Sequence, residues 1–303
     1  MFFECSNNGC VVHTSAKINL GLEVLGRLSD GYHQVETLLI PVRLCDTLVY
    51  SPTANPLQLK LIGTPSCPAS SLACDPEQNL VTKAAELLAD ETGRTATGML
   101  QLHKRIPTQA GLGGGSSDAA ATLALLNRAW KLNLPTSRLV ELAKQLGTDV
   151  PFFLTPGAAF GTGRGEQLEP VPFPAGVPLV LVKPPVGLST PEVFAALGLA
   201  PGESASQASG YCKRLVDHLR RHAPITQWRN LVRNSLQPAA IRLSDWIDKI
   251  ADAFHRLPVV LHQMTGSGSG YYAVCRSWRE ARCIASRLRG QHGQFALATR
   301  TCL

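Results

Sequence analysis

The sequence predicts an α+β protein of two lobes, and three observations carry this prediction. A chain of 303 residues exceeds the usual size of one domain, which is about 150 residues. Short segments with the alternating polarity of strands are interspersed with segments of helical periodicity. Near the C-terminus the order strand, turn, strand, helix, strand indicates a split βαβ lobe of the ferredoxin-like type.

The N-terminal part is predicted to begin with two strands. Apolar residues alternate along a strand over 11–25, which leaves Lys17 and Asn19 on its other face. A polar turn through Asp30-Gly31 then leads to a second extended stretch over 35–40. An ammonium and an amide on one strand face are typical of a solvated surface, and the rest of the sequence argues against that interpretation here.

The remaining elements follow from periodicity and punctuation. Asp75 and Pro76 resemble the N-cap and first residue of a helix that ends near Gly93. Between 51 and 74 the composition is rich in Pro, Ser, Thr and Ala without firm periodicity. The other predicted elements are strands at 57–62, 99–106, 178–182, 259–263, 271–274 and 295–298, helices at 119–130, 139–146 and 190–197, two basic amphipathic helices beyond 211, and a helix opened by the capping box of Ser277 and Glu280.

Charge is distributed unevenly along the chain. Residues 211–303 contain 15 Lys/Arg and 5 Asp/Glu, whereas the first 210 residues contain 14 and 17. A basic stripe is the electrostatic signature of nucleic-acid binding. These basic residues are interleaved with apolar ones, as on the outer face of an amphipathic helix. We therefore favour solvated helix faces and keep a nucleic-acid-binding protein as the less favoured alternative.

Several protein classes are disfavoured by what the sequence lacks. No apolar run approaches the roughly 18 to 20 residues that span a bilayer. The segment 1–10 has no basic region that leads into an apolar one, so a secretory signal is not expected. The nine cysteines include no CxxC pair. We therefore expect a cytoplasmic protein with reduced thiols, without a zinc ribbon and without a membrane partner.

The segment from Pro107 to Asp118 follows a predicted strand and opens a helical run. Its four glycines allow a close backbone approach, and the amides at a helix N-terminus carry partial positive charge, so a phosphate is the natural ligand. Ser116 and Ser117 can either cap the helix or contact phosphate oxygens. A P-loop is excluded because no Gly-Lys occurs, and the GxGxxG fingerprint fails because Ser116 stands at its third glycine.

Two further glycine-rich segments, 161–166 and 265–270, each fit a tight hairpin turn. Together with the first loop they favour a nucleotide pocket built from both lobes. Proton transfer also requires a carboxylate, and Asp149 precedes the apolar run Val150–Leu154. Such an Asp is either a helix cap or a catalytic base, and these residues alone favour the cap.

These segments resemble, in order and spacing, the GHMP kinases. The resemblance extends from about Val12 to the last predicted strand, and it implies the two-lobe GHMP kinase fold, with an active site in the cleft. A ribosomal-protein-like lobe would span 1–156 and the ferredoxin-like lobe 157–303. The matching segments are Ala16–Leu20, Gly26-Arg27, Asp30–His33, Pro107–Ala120, Gly147–Leu154 and Met264–Gly268.

The form of these motifs is similar to one branch of the superfamily. The GLGGGSS loop, the Ala-Lys-Ile-Asn-Leu start and the Asp-Gly-Tyr-His turn imply phosphorylation of the 2-hydroxyl of a cytidine diphosphate-linked methylerythritol, a step of non-mevalonate isoprenoid precursor biosynthesis. The resemblance implies ATP and Mg²⁺ as cofactors. A superfamily kinase that acts on homoserine, mevalonate or a sugar is the nearest alternative.

The resemblance also implies a role for each matching residue. Asp149 would be the catalytic base, and Lys17 would stabilise its carboxylate and lie close to the transferring phosphoryl group. Residues of the loop would bind ATP, namely Pro107, Thr108, Gln109, Ala110, Gly111, Leu112, Gly113, Gly114, Gly115, Ser116 and Ser117. Residues that would bind the substrate are Asn19, Tyr32, His33, Thr190, Phe194, Gly266 and Ser267, with the aromatic rings at the cytosine.

The chain departs from the family pattern at a few positions. Gln109 stands where glycine is common, and Gly270 replaces the usual alanine. Residues 51–74 match poorly. None of these positions carries the implied chemistry, although Gln109 lies at the start of the phosphate loop.

Overall fold

The computed structural model describes residues 1–6, 9–64, 67, 76–206, 208–292 and 295–302. The chain divides into two compact units. The first comprises Met1–Ala16, Leu44–Thr108 and Gly113–Pro156, and the second comprises Lys17–Arg43, Gln109–Leu112 and Gly157–Leu303. The second unit therefore includes residues 17–43 and 109–112 besides the C-terminal segment, so the two units are not consecutive stretches of the chain. Strands β2 (Gly9–Arg27) and β3 (His33–Pro56) are long, and each contributes residues to both units.

The described residues of the first unit form strands and three α-helices. Strand β1 pairs antiparallel with β2, β5 pairs antiparallel with β3, and β4 pairs parallel with β5, with Leu59 opposite Leu100. The three helices pack against one another. Beyond the two long strands, the elements of this unit are β1 (Phe2–Ser6), β4 (Gln58–Ile62), α1 (Leu80–Glu91), β5 (Thr97–His103), α2 (Gly114–Ala129) and α3 (Thr136–Leu146).

Two helix starts in the first unit differ from their predictions. Helix α1 is capped by Asn79, whose side chain accepts from the Val81 amide at 2.9 Å. The predicted cap Asp75 lies outside the described residues. Helix α2 begins at Gly114 instead of residue 119. The first turn of α2 therefore contains glycines despite their low helix propensity, because packing overrides propensity.

The second unit contains a hairpin and a four-stranded antiparallel sheet. In the hairpin, Thr162 pairs with Gln167, so the segment 161–166 forms the turn expected of it. The sheet has the order β11-β8-β10-β9. Its first strand in sequence therefore lies between the fourth and the third, which confirms the ferredoxin-like prediction. The strands are β6 (Ala159–Thr162), β7 (Gln167–Pro170), β8 (Pro178–Lys183), β9 (Leu261–Met264), β10 (Tyr271–Val274) and β11 (Phe295–Arg300).

More helices precede β9 than the two that were predicted beyond residue 211. Pro224 and Pro238 stand at new helix starts, and Ser244 separates the last two helices, so one predicted basic stretch is divided. Helix α9 packs against β8 and β11. The helices are α4 (Thr190–Ala195), α5 (Tyr211–Arg220), α6 (Ile225–Trp228), α7 (Gln237–Leu243), α8 (Asp245–His255) and α9 (Trp278–His292).

The basic residues of α5 lie on its solvent face. Lys213 and Arg214 are exposed, whereas Leu215 and Val216 are buried. This is the arrangement of an amphipathic helix with a solvated outer face. The charge of this helix therefore accords with the interpretation that the sequence favoured over nucleic-acid binding.

The N-terminal hairpin departs from the expectation of reduced thiols, because Cys5 and Cys10 form a disulfide between β1 and β2.

Among the described residues, no helix is both long and apolar enough to cross a bilayer.

Candidate active site

The loop Gln109–Leu112 packs directly against the turn Thr265–Gly270 in the second unit. The amide of Gly270 donates to the Ala110 carbonyl at 3.2 Å. A Cβ atom on Gly111 would lie 2.1 Å from the Thr265 carbonyl oxygen, and one on Gly270 would lie 2.2 Å from the Ala110 oxygen. Both positions therefore require glycine because two backbones touch there. In this chain, the alanine that is usual in the family would therefore clash at position 270.

Lys17 is joined to the same loop through its backbone. Its amide donates to the Leu112 carbonyl at 3.0 Å. Only 3% of Lys17 is exposed, and its Nζ donates to Oδ1 of Asn19 at 2.7 Å. The polar face of β2 is thus buried and hydrogen-bonded. A solvated surface, which is the usual interpretation of such a face, is therefore wrong here. The rest of the sequence had argued against it.

Asn19 connects β2 to the turn Thr265–Gly270. Its amide N–H donates to the Thr265 hydroxyl at 2.9 Å, and its side-chain Nδ2 donates to the Thr37 hydroxyl at 2.7 Å. The Thr37 hydroxyl in turn donates to the carbonyl of Gly21 at 3.0 Å. These bonds fix the orientation of the Asn19 amide, so its oxygen faces the Lys17 ammonium. Sequence reasoning missed Thr37, because the stretch 35–42 of β3 is buried without interruption and shows no alternation that would mark it.

Asn234 holds the start of the same turn and was also missed. Its Nδ2 donates to the carbonyls of Met264 at 3.0 Å and Gly266 at 2.8 Å, and its Oδ1 accepts from the Leu236 amide. The side chain is buried. It therefore positions the predicted substrate residues Gly266 and Ser267 from a segment that no motif marks.

Helix α4 is tied to the turn by a hydroxyl pair. The Thr190 and Ser267 hydroxyl oxygens lie 2.7 Å apart. Thr190 is the first residue of α4, and the helix carries Phe194 one turn later. Two of the predicted substrate residues therefore contact each other, and a third follows on the same short helix.

The predicted aromatic residues form a second cluster in this unit. The rings of His33 and Phe194 have centroids 4.7 Å apart at an interplanar angle of 38°. Burial, and then the charge of Arg27, lower the pKa of His33. Its Nε2 atom is buried and has no hydrogen-bond partner among the described residues. A neutral imidazole with an unpaired nitrogen can accept or donate one hydrogen bond to a ligand.

Tyr32 is more exposed and lies against an unpredicted residue. The guanidinium carbon of Arg164 is 3.9 Å from the Tyr32 ring centroid, and the same guanidinium pairs with Asp30. Arg164 stands in the turn of the β6–β7 hairpin. The structure thus brings His33 to Phe194 and places a cation on Tyr32.

In the first unit, the glycines after Leu112 form the N-terminus of α2. Gly113 is the N-cap, with φ of +71°, and the first hydrogen bond of the helix runs from the Ser117 amide to the Gly113 carbonyl at 2.8 Å. The amides of Gly114, Gly115 and Ser116 precede that bond. They therefore point out of the helix end, where its dipole favours an anion.

The two serines have different environments. The Ser117 hydroxyl donates to the Ser15 carbonyl at 2.6 Å and contacts the Thr14 hydroxyl. Neither serine occupies the N-cap, so the capping alternative is wrong. Ser117 is fully engaged within the protein, whereas Ser116 is half-buried at the helix end. Of the two hydroxyls, only that of Ser116 remains a good candidate for a phosphate contact.

A buried ion cluster lies beneath this helix end. A Cβ atom on Gly114 would lie 3.2 Å from Nζ of Lys104. Nζ pairs with Asp118 at 2.7 Å and with Asp46, and all three side chains are at most 5% exposed. Asp46 also accepts from the backbone amides of residues 105–106. The cluster therefore joins β3, the segment after β5 and α2.

Burial and the neighbouring charges shift the pKa values of two groups in the cluster, Asp118 and Lys104. Burial raises the pKa of Asp118 to about 8, against the opposing effect of Lys104, and Asp46 adds to the rise. Burial acts to lower the pKa of Lys104, but the two carboxylates raise it above its ordinary value. The Oδ1 atom of Asp118 is buried and has no hydrogen-bond partner among the described residues. Burial and the neighbouring Asp46 therefore disfavour the charged form of Asp118, while Lys104 pairs with both carboxyl groups.

Asp149 lies between α3 and the short 3-10 helix Pro151–Leu154. It is half-buried, whereas Val150 and Phe152 are buried. Val150, and not Asp149, occupies the N-cap position of the 3-10 helix. Asp149 therefore stands one residue before that N-cap, and its role as a base stays a prediction.

Comparisons with known proteins agree with this arrangement. The family model of the GHMP kinases N terminal domain matches residues 79–157, and that of the GHMP kinases C terminal domain matches residues 218–293. A 4-diphosphocytidyl-2-C-methyl-D-erythritol kinase of Pelotomaculum thermopropionicum is 39% identical over 292 residues, covering 94% of this chain and 96% of the relative. One of Nitrobacter hamburgensis is 37% identical, covering 92% and 91%.

Solved structures show the same likeness. A crystal structure of 4-(cytidine 5'-diphospho)-2C-methyl-D-erythritol kinase has a TM-score of 0.77 at 32% identity and covers 96% of this chain and 98% of its own. A homoserine kinase of Cytophaga hutchinsonii has a TM-score of 0.74, covering 100% of this chain and 97% of its own, but only 16% identity. The second likeness shows the fold alone.

Proposed function

Since this chain belongs to the GHMP kinase family, we propose that it transfers the γ-phosphoryl group of ATP to the 2-hydroxyl of 4-diphosphocytidyl-2-C-methyl-D-erythritol. The observation that carries the proposal is the identity of 39% with a relative of that name, over 94% of the chain. The pair of His33 and Phe194 supports it, because a ring beside an unpaired imidazole nitrogen suits a cytosine.

The phosphates of ATP are assigned to the N-terminus of α2. The amides of Gly114, Gly115 and Ser116 precede the first helical hydrogen bond and can donate to phosphate oxygens. Gly115 presents no side chain on this exposed turn, so the backbone can approach a ligand closely. The buried Lys104 ammonium lies beneath the same helix end, paired with Asp46 and Asp118.

Mg²⁺ would be held chiefly by the phosphates. Among the described residues, no three His, Cys, Asp or Glu side chains converge to form a metal site. Mg²⁺ in nucleotide sites commonly uses one or two carboxylates together with phosphate oxygens and water. When bound, the ion neutralises charge on the phosphates.

Lys17 and Asp149 are assigned to the chemical step. A bond forms between the 2-oxygen of the acceptor and the γ-phosphorus, while the bond from that phosphorus to the bridging oxygen of ADP breaks. The hydroxyl proton passes to the Asp149 carboxylate. The Lys17 ammonium, which Asn19 orients through a 2.7 Å bond, stabilises the negative charge on the transferring group.

The acceptor is assigned to residues of the second unit. Phe194 and Tyr32 offer ring faces to the cytosine, and the Nε2 atom of His33 reads its polar edge. Thr190 and Ser267, which bond each other, can bind the diphosphate or the alcohol. Asn19 and Gly266 complete the predicted set near the Lys17 ammonium.

A panel of acceptor alcohols tests the proposal in a coupled assay of ADP release. The expected result is ATP-dependent turnover of the cytidyl substrate, with no turnover of homoserine, mevalonate or galactose above background. The phosphorylated position is then verified by ³¹P–¹H NMR. Turnover of homoserine or mevalonate without turnover of the cytidyl substrate would assign the chain to another member of the family.

A further inference from the structure

We propose that Gln109 is a positioning residue that couples the start of the phosphate loop to the helix that carries Phe194, so that ATP and the acceptor alcohol promote each other's binding. The inference rests on the proposed function. All of the contacts that carry it lie within the second unit.

The backbone of Gln109 has an unusual conformation. Its φ is +51°, in the left-handed region that disfavours residues with a Cβ atom. Glycine, which is common here in the family, adopts this conformation without steric cost. A strained residue persists when its surroundings hold it, and such residues cluster at functional sites.

The side chain lies over Gly187. A Cβ atom on Gly187 would lie 2.2 Å from Oε1 of Gln109 and 2.7 Å from its Cβ. Gly187 has an ordinary φ, so its lack of a side chain is required by this contact and not by its own backbone. Glutamine at position 109 and glycine at position 187 therefore fit each other.

Ser269 makes a second connection between the same two segments. Its amide donates to the Gln109 carbonyl at 3.3 Å, and its hydroxyl donates to the Val186 carbonyl at 2.6 Å. The loop that starts at Gln109 is thus joined to the chain around Gly187 by a side-chain contact and by a hydrogen-bonded bridge.

The segment around Gly187 continues into α4. Leu188 is buried, and a Cβ atom on Gly268 would lie 3.1 Å from its Cδ1 atom. Thr190 bonds Ser267, and Phe194 follows on the helix. Six residues, 188–193, separate Gly187 from Phe194, so a displacement of Gln109 can reach Phe194 along this short stretch of chain. If ATP orders the loop, the acceptor helix is ordered at the same time, and the second ligand binds with less ordering cost.

Gln109 and Gly187 are both exposed, so this contact contributes little to the core. A purely structural role would appear as a change in stability alone. Coupling between two ligands is the quantity that distinguishes a positioning role.

The test measures the dissociation constant of the cytidyl substrate by calorimetry, with and without a saturating nonhydrolysable ATP analogue. The ratio of the two constants is the coupling factor. For Gln109→Gly we expect the coupling factor to fall at least threefold relative to the unmodified protein. The matched control is His222→Gly, because His222 is exposed, has φ of +52° and lies in the turn after α5. This control is expected to keep the coupling factor.

A second pair of variants tests the contact itself. Gly187→Ala should lower the coupling factor when Gln109 is present, because the added Cβ displaces the glutamine. The same substitution should have no further effect in the Gln109→Gly background. An unchanged coupling factor in Gln109→Gly, or an equal effect of Gly187→Ala in both backgrounds, would overturn the inference. Failure of the proposed function is distinguishable, because the unmodified protein would then neither bind nor phosphorylate the cytidyl substrate.

Discussion

Replacement of Lys104 by Met is expected to destabilise the first unit and its phosphate-binding helix end. Met fills similar space but leaves the Asp46 carboxylate buried without its cation, while Asp118 loses a hydrogen-bond donor. Removal of one partner from a buried ion pair typically costs about 3 to 5 kcal/mol. Asp46 keeps two backbone donors from residues 105–106, so we expect the lower half of that range, about 3 kcal/mol.

Native-state hydrogen exchange of the amides in α2 reports this free energy locally. The matched control is Lys249→Met on α8, whose pair with Asp245 is exposed at both ends. Exposed pairs one helical turn apart contribute about 0.3 to 0.5 kcal/mol, so this control should leave α2 unchanged. The affinity for ATP should fall in Lys104→Met and not in the control.

A double variant separates the charge from the packing. In Lys104→Met with Asp46→Asn, the buried uncompensated charge is gone, so the double variant should be more stable than the single one. A loss below about 1 kcal/mol in Lys104→Met, or no recovery in the double variant, would refute the electrostatic account of this cluster.

Three further predictions concern the titration of the cluster and the chemistry of the site. Burial raises the pKa of Asp118 from 3.8 to about 8, so between these pH values the folded protein holds a proton that the unfolded chain releases. The free energy of unfolding should therefore fall as pH rises from about 4 to 8. Asp118→Asn should flatten this dependence, which urea unfolding at pH 5.5 and pH 8 would measure. Asp149→Asn should lower kcat by about 10² to 10⁴-fold while ATP binding survives, and near-normal turnover would remove Asp149 as the base. Phe194→Ala should weaken binding of the acceptor by about 1 to 3 kcal/mol, as measured by calorimetry. The control Phe173→Ala, which removes an aromatic pair with Trp228, should leave this binding unchanged. Equal losses of affinity in both variants would place the cytosine elsewhere.

Sequence patterns predicted the site residues that lie close together along the chain or share a strand face. Alternation placed Lys17 and Asn19 on one face, and the structure joins them at 2.7 Å. The alternation alone could not predict the burial of that face, since Asn19 bonds Thr265, which lies 246 residues away. Turn composition predicted the hairpin over 161–166, because its conformation is set locally.

Long-range requirements explain most of what sequence reasoning missed. Asn234 and Lys104 belong to no motif, and their side-chain nitrogens donate to partners 14 to 58 residues away. The count of helices before β9 was wrong because proline and serine divide a stretch that has continuous amphipathic character. The helix α2 starts within the glycines because tertiary contacts of Ser117 with Ser15 outweigh local propensity.

The glycines of the phosphate loop therefore meet separate physical requirements. Gly113 needs its positive φ, Gly111 needs room for the Thr265 backbone, and Gly114 needs room for Ile106 and Lys104. Gly115 is different, because a Cβ atom there would meet only the Leu80 side chain, at an ordinary distance of 3.7 Å. The folded protein itself does not require glycine at this position, so the requirement, if the loop binds ATP, comes from the phosphates.

Gly115→Ala consequently separates folding from nucleotide binding. Alanine inside a helix is about 0.5 to 1 kcal/mol more favourable than glycine, so thermal unfolding should occur at the same or a higher temperature. The added methyl group would stand where the phosphates approach the amides, so the KM for ATP should rise about tenfold or more, with the KM for the acceptor changed less. Gly114→Ala serves as the contrasting variant, because its Cβ would lie 3.0 Å from Ile106 and should destabilise the protein as well. An unchanged KM for ATP in Gly115→Ala would show that this helix end does not hold the phosphates, whatever the fold.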